Sequence, residues 1–181
     1  MYKTLCLLIL FGSPIFASEL RITVDGNAKG EIKIDLFEDI APLHVAQILK
    51  LAEQGHYNDV IFHRVMDGFM AQTGDVEYGK AGNDTSLAGR GGSKLPDIPA
   101  EFSDIDFDRG IVGMARTRNP DSANSQFFIM FEAGYFLNGQ YTVVGKVTSG
   151  MEVVDKIKRG EGSNGAVFGE PDKMVSIVTS R

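Results

Sequence analysis

The sequence contains one cysteine, Cys6, in 181 residues. A lone thiol cannot close an intrachain disulfide, and a zinc–thiolate site needs several. Positive charge is also scarce: 18 Lys and Arg stand against 24 Asp and Glu, for a net charge of −6. A general nucleic-acid binder needs a basic surface, and so does attachment to anionic membranes, so the balance argues against both. Nowhere does the chain offer the run of about 20 apolar residues that a spanning helix requires. The three histidines, His44, His56 and His63, fall in no H-x-x-x-H or comparable ligand spacing. With no G-x-S-x-G elbow and no other sign of a Ser/His/Asp triad, nucleophilic hydrolysis has little support.

Two short segments imitate binding motifs and fail on detail. "DIDFDRG" (104–110) alternates aspartates as a calcium loop does, but Arg109 stands at the sixth place and Ala115 at the twelfth, where Gly and Glu are needed. It reads as a solvated acidic turn. "GRGGSK" (89–94) lacks the G-x-x-x-x-G-K-[ST] spacing of a phosphate cradle and reads as turn glycines.

What is present begins with a leader. Lys3, the apolar run Leu5–Phe11, a Gly-Ser-Pro break and then Ala17-Ser18 have the layout of a secretory signal. Cleavage is expected after Ala17, giving a signal peptide over 1–17, which removes Cys6, and a single domain over 18–181. A buried terminal strand or helix is the alternative.

Beyond the leader, "LRITVDG" and "GEIKIDLF" alternate as half-buried strands, with the Gly26–Gly30 region as their turn. "APLHVAQILKLAEQG" changes period: Val45, Ile48, Leu49 and Ala52 share a helical face, Pro42 suits the first turn, and Gly55 suits the residue after the C-cap. "VIFHRV" and "FMAQTGD" read as strands joined by a tight Asp67-Gly68 hairpin. Residues 76–95 lack apolar periodicity and form a long loop. Further strands are expected at 111–115, 126–131 and 142–147, a second helix over "MEVVDKIK", and a final strand over "MVSIVTS". Many short strands with two helices point to a barrel or sandwich.

Three polar side chains interrupt the apolar strands. Arg64, Gln72 and Gln126 stand among Phe69, Met70, Phe128, Phe136, Leu137 and Tyr141. For any one of these large side chains, plain core packing is the simpler explanation. Together they describe a shallow apolar site equipped with a few hydrogen-bond donors. His63 alternates with Arg64, so it should point to the opposite face and be packed.

The blocks "FHRVMDGFMAQTGD", "GGSKLPDIPAEF", "RGIVGMARTRNPDSANSQFFIM" and "FLNGQYTVVGKVTSGMEVVDKI" resemble the cyclophilin family of peptidyl-prolyl cis/trans isomerases, over about Ile22 to Val178. The resemblance implies a mainly β fold: a closed eight-stranded antiparallel barrel capped by two α-helices. Position by position, it places the catalytic arginine at Arg64 and hydrogen-bonding glutamines at Gln72 and Gln126. The proline pocket falls on Phe69, Met70, Phe128 and Leu137, and the substrate-pairing backbone on Ala115, Arg116 and Thr117. Here "MARTR" replaces the "MANAG" of the best-known members, so Arg116 stands where they have a neutral Asn and bears on which peptides are welcome. Phe136 replaces the Trp of many eukaryotic members, which implies weak cyclosporin binding. Tyr141 replaces their pocket-wall His. The Val76–Ala88 loop exceeds that of compact members and is expected to border the groove.

The same resemblance implies no cofactor and no metal. Its expected partners are proline-containing unfolded or exposed segments, with no nucleic acid and no membrane once the signal is cleaved. A monomer exported to the periplasm is expected, assisting the folding of exported proteins. A proline-peptide-binding chaperone with little catalysis remains the alternative.

Overall fold

The computed structural model describes residues 18–180. The expected signal peptide and its cleavage point therefore lie outside the described residues, apart from Ser18. Nine strands form one sheet: β1 (Glu19–Asp25), β2 (Gly30–Leu36), β3 (Val60–Ile61), β4 (Arg64–Met66), β5 (Met70–Thr73), β6 (Ile111–Met114), β7 (Phe127–Met130), β8 (Val143–Ser149) and β9 (Lys173–Ser180). Helix α1 spans Pro42–Glu53, α2 spans Met151–Val154, and a 3₁₀ turn covers Tyr135–Leu137.

The spatial order is β3-β9-β1-β2-β8-β6-β7-β5-β4, with every pairing antiparallel. This corrects the expected closed eight-stranded barrel: the sheet curls into an open half-barrel. Its terminal strands, β3 and β4, are consecutive pieces of one run broken at Phe62-His63. Two pieces of one extended run cannot pair with each other, and the backbone groups around the break are engaged by the chain after α2. Phe62 N–H donates to Asp172, Val65 N–H to Gly165, and His63 C=O accepts from Val167 N–H. The chain after α2 thus covers an edge that a barrel would close.

Side-chain alternation divides the apolar residues between two faces. Val65, Ala71, Phe127 and Ile129 join the main core, together with Ile22, Ile32 and Ile34 and the buried face of α1. Their neighbours Met70, Phe128 and Met130 enter a smaller cluster on the other face, with Phe107, Ile111, Leu137 and Val143. That second face carries the candidate site.

Helix α1 starts at Pro42 as expected, and Gly55 follows its C-cap with φ +71°. Its first turn has no local side-chain cap. Glu101 supplies one from a distant loop, accepting from Leu43 N–H at 3.1 Å and His44 N–H at 3.0 Å, with His44 Nδ1 2.6 Å away. The second helix is shorter than expected. Beyond Val154 the bonds Lys156→Val153 and Ile157→Val154 tighten into i→i−3 turns. The connection from β4 to β5 is also looser than a two-residue turn, since Met66 pairs with Met70 and leaves three residues in the loop.

Candidate active site

The strand register assembles the site. In the β4–β5–β7–β6 ladder, Arg64 lies opposite Gln72, Gln72 opposite Phe128, and Phe128 opposite Gly113. The next row on the same face is Met66, Met70 and Met130. Gly113 admits aromatic rings here: a Cβ on it would lie 2.5 Å from Phe128 and 2.6 Å from Phe107. Phe107 stacks on Phe128 with centroids 5.8 Å apart, and Tyr141 meets Phe128 edge-on at 6.0 Å.

Ten of the expected residues line one hollow of about 260 Å³: Arg64, Phe69, Met70, Gln72, Ala115, Arg116, Phe128, Phe136, Leu137 and Tyr141. That is below the roughly 300–1,000 Å³ of a drug-sized ligand site and suits one ring of a surface-bound chain. The remaining two, Thr117 and Gln126, line an adjoining hollow of about 120 Å³ that shares Gln72, Ala115 and Arg116. The larger hollow has a buried floor and an open rim: Met70, Phe128 and Leu137 are buried, whereas Phe136 is 67% exposed and leans on Phe69 with centroids 5.4 Å apart.

Arg64 is held from two sides. Its Nε donates to the backbone oxygen of Asn164 at 2.9 Å, and Nη1 to Gln72 Oε1 at 3.0 Å. Its other nitrogen, Nη2, meets only Met66 Sδ at 3.0 Å, a weak acceptor. Half-burial draws its pKa below the ordinary arginine value, and among the described residues it forms no ion pair. Hydrogen bonding continues in one direction, from Gln72 Nε2 to Gln126 Oε1 at 2.9 Å and from Gln126 Nε2 to Gly91 C=O at 2.8 Å. Because Arg64 can only donate, this relay orients both amides.

Beside the relay, Ala115 N–H donates to Gln126 C=O, extending β6 by one residue. The N–H and C=O of Arg116 have no backbone partner among the described residues. They offer an extended peptide a place to pair. The Arg116 side chain is fixed above, 4.3 Å over the Tyr141 ring, with Nη2 donating to Gln140 C=O at 2.8 Å and Nη1 to Thr117 C=O at 2.9 Å.

Sequence reasoning missed three supports. The Asn164 carbonyl lies 100 residues from Arg64, and only the Asn-Gly turn dipeptide marks that spot. Asp75 is fully buried and accepts four backbone N–H groups, from Glu77, Tyr78, Gly89 and Gly91, at 2.7–3.1 Å. The glycines of "GRGGSK" thus surround a carboxylate of the chain itself. Arg90 was also overlooked. Of the long loop, only Gly89, Arg90 and Gly91 are among the residues lining the two hollows. Val76 and Glu77 line a different hollow, next to Leu51, Gln54 and His56. Two aspartates of the acidic turn at 104–110 are engaged in hydrogen bonds: Asn138 donates to Asp106, and Tyr135 donates to Asp108 at 3.0 Å.

The model of the cyclophilin type peptidyl-prolyl cis-trans isomerase/CLD family matches residues 20–179. A protein of Brucella suis biovar 1 (strain 1330) named probable peptidyl-prolyl cis-trans isomerase is 62% identical over 152 residues, covering 82% of this chain and 77% of its own. Peptidyl-prolyl cis-trans isomerase B of Escherichia coli (strain K12) is 40% identical over 137 residues, covering 71% and 79%. A crystal structure of a Cryptosporidium parvum cyclophilin-type isomerase, solved in the presence of the dipeptide Ala-Pro, superposes with a TM-score of 0.75 at 27% identity, covering 90% of this chain and 99% of that one.

Proposed function

The chain belongs to the cyclophilin-type peptidyl-prolyl cis-trans isomerases, and we propose that its catalysis rests on Arg64 acting without covalent chemistry. Rotation about an X–Pro bond crosses a barrier of about 18–20 kcal/mol set by amide resonance. As the amide twists, the proline nitrogen regains a lone pair. A donor aimed at that nitrogen binds the twisted state better than either planar form, which is the condition for acceleration.

The observation that carries this reading is how the guanidinium is held. Asn164 and Gln72 fix its plane, while the thioether of Met66 occupies Nη2 only weakly. A better acceptor entering the hollow can take that donor at little cost. The apolar wall of Phe69, Met70, Phe128 and Leu137 receives the ring and lowers the local dielectric, which strengthens the bond. Gln72 acts as a positioning residue, because both ends of its amide are already engaged.

The substrates are proline-containing segments of unfolded or exposed chains, bound as an added strand beside Arg116. The leader-like layout of residues 1–17 supports export, most simply to a periplasm, and work on exported proteins. N-terminal sequencing of the mature protein tests the export reading, with Ser18 expected as the first residue.

The test of the mechanism is cis/trans exchange in a short X-Pro peptide, followed by NMR with wild type and Arg64→Ala. Loss of a single preorganised donor is expected to lower kcat/KM by about 100-fold or more, with a much smaller loss of peptide affinity. Near-wild-type exchange in Arg64→Ala would remove Arg64 from the mechanism. Binding without acceleration by wild type would make the protein a proline-peptide-binding chaperone.

A further inference from the structure

The groove extends past the proline hollow into a second one of about 120 Å³, lined by no large apolar side chain, whose rim carries Arg90 and Arg116. The sign of the charge here opposes that of the molecule. The chain has an excess of acidic residues, yet the residues lining the two hollows include three arginines and no carboxylate. Among the described residues, none of the three arginines forms an ion pair. Arg116 is bound only to carbonyl oxygens and the Tyr141 ring, so its charge is oriented but not neutralised. Arg90 extends from the exposed rim.

Glu77 beside Gly91 and Asp97 bonded to Asn124 stand outside the lining, and Asp75 is the acidic group beneath the rim, where it does not cancel the field at the opening. It is fully buried, and its oxygens accept four backbone N–H groups, two of them from Gly89 and Gly91 on either side of Arg90. A concave site walled by one sign of charge concentrates its field on an incoming group.

Extended chains place residues i and i+2 on the same face, about 7 Å apart. Gln72, Ala115 and Arg116 line both hollows, so a segment with its proline in the first directs a side chain two residues away into the second. We propose that this second hollow, between Arg90 and Arg116, receives the carboxylate of an aspartate or glutamate two residues from the proline. Acidic proline-containing segments are then the preferred substrate class. The proposal rests on the isomerase reading for the placement of the proline, and its test separates the two.

The test uses X-Pro peptides differing only in having Glu, Gln or Lys two residues before or two residues after the proline. Exchange rate and affinity are both measured by NMR on the intact protein at low ionic strength. At one of the two positions, Glu is expected to exceed Gln by about 3- to 10-fold in kcat/KM and in affinity, and Lys to fall below Gln. The gap should shrink at about 0.5 M salt, as an accessible ion pair does. In Arg90→Glu with Arg116→Gln, the order should reverse to favour Lys. Equal values for Glu, Gln and Lys at both positions would overturn the proposal, as would a Glu preference that survives in the double variant. Should no peptide be accelerated, the isomerase reading fails, while the affinity ranking still decides for or against the acidic subsite.

Discussion

Arg64 and Gln72 face each other across the β4–β5 ladder, and their side chains are joined at 3.0 Å. Directly opposed residues project from the same face of a sheet, so strand pairing itself brings the guanidinium to its amide partner. The bond to a neutral amide leaves the guanidinium charge unpaired with any carboxylate among the described residues.

Replacing that partner should separate positioning from binding. Gln72→Leu leaves Arg64 tethered by Asn164 and weak thioether contacts, and strips Gln126 Oε1 of its donor. A fall in kcat of about tenfold with little change in KM is expected, in keeping with loss of an orienting contact. Gln72→Glu should be worse at neutral pH, because a carboxylate would hold the donors that must reach the substrate. A Gln72→Glu enzyme as active as Gln72→Leu, or more so, would contradict this role.

Asp75 offers a test of loop support. Its carboxylate accepts four N–H groups across residues 77–91, and an amide presents only one acceptor oxygen to them. Asp75→Asn should destabilise the fold by about 2–4 kcal/mol, read from urea unfolding. Faster limited proteolysis between residues 76 and 91 should accompany it. Activity should fall as well, because the Gly91 carbonyl anchors the relay through Gln126.

His63 makes stability depend on pH. The residue is 8% exposed, and neither ring nitrogen has a hydrogen-bond partner among the described residues. Burial, reinforced by the Arg64 charge and opposed by Asp75, pushes its pKa from 6.5 down to about 4. Between those values the unfolded chain binds more protons than the folded one, so stability is complete above about pH 6.5 and is lost as pH falls toward 4. The loss at the acid end is on the order of 3 kcal/mol. Urea midpoints at pH 7 and pH 4.5 should diverge more in wild type than in His63→Gln. Equal divergence would assign the acid sensitivity to other groups.

Phe136 lines the larger hollow at its exposed rim, with its ring centroid 5.4 Å from that of Phe69. Weak inhibition by cyclosporin is expected of the native chain. Phe136→Trp adds aromatic area and an N–H donor at this rim and should tighten inhibition by about tenfold, with peptide exchange changed far less. Strong inhibition of the unaltered protein would refute the expectation at once.

Much of this arrangement was legible in the sequence because it is local. Strand alternation marked β1 and β2, and helical spacing with Pro42 and Gly55 marked α1. The apolar and amide residues of the site were already conspicuous as polar interruptions of greasy strands. Such periodicities arise within a few residues, where backbone geometry alone decides which way a side chain points.

The tertiary structure decided whatever depended on which distant groups won a given hydrogen bond. Gly165, Val167 and Asp172 take the backbone partners around the β3–β4 break. The second helix unwinds after Val154, Glu101 caps a helix that begins 59 residues earlier, and Asn164 reaches Arg64 across 100 residues. Arg90 and Arg116 meet over one hollow only because Asp75 gathers the loop beneath them. No local pattern encodes these outcomes: each is a competition among many donors and acceptors, settled only when the whole chain has packed.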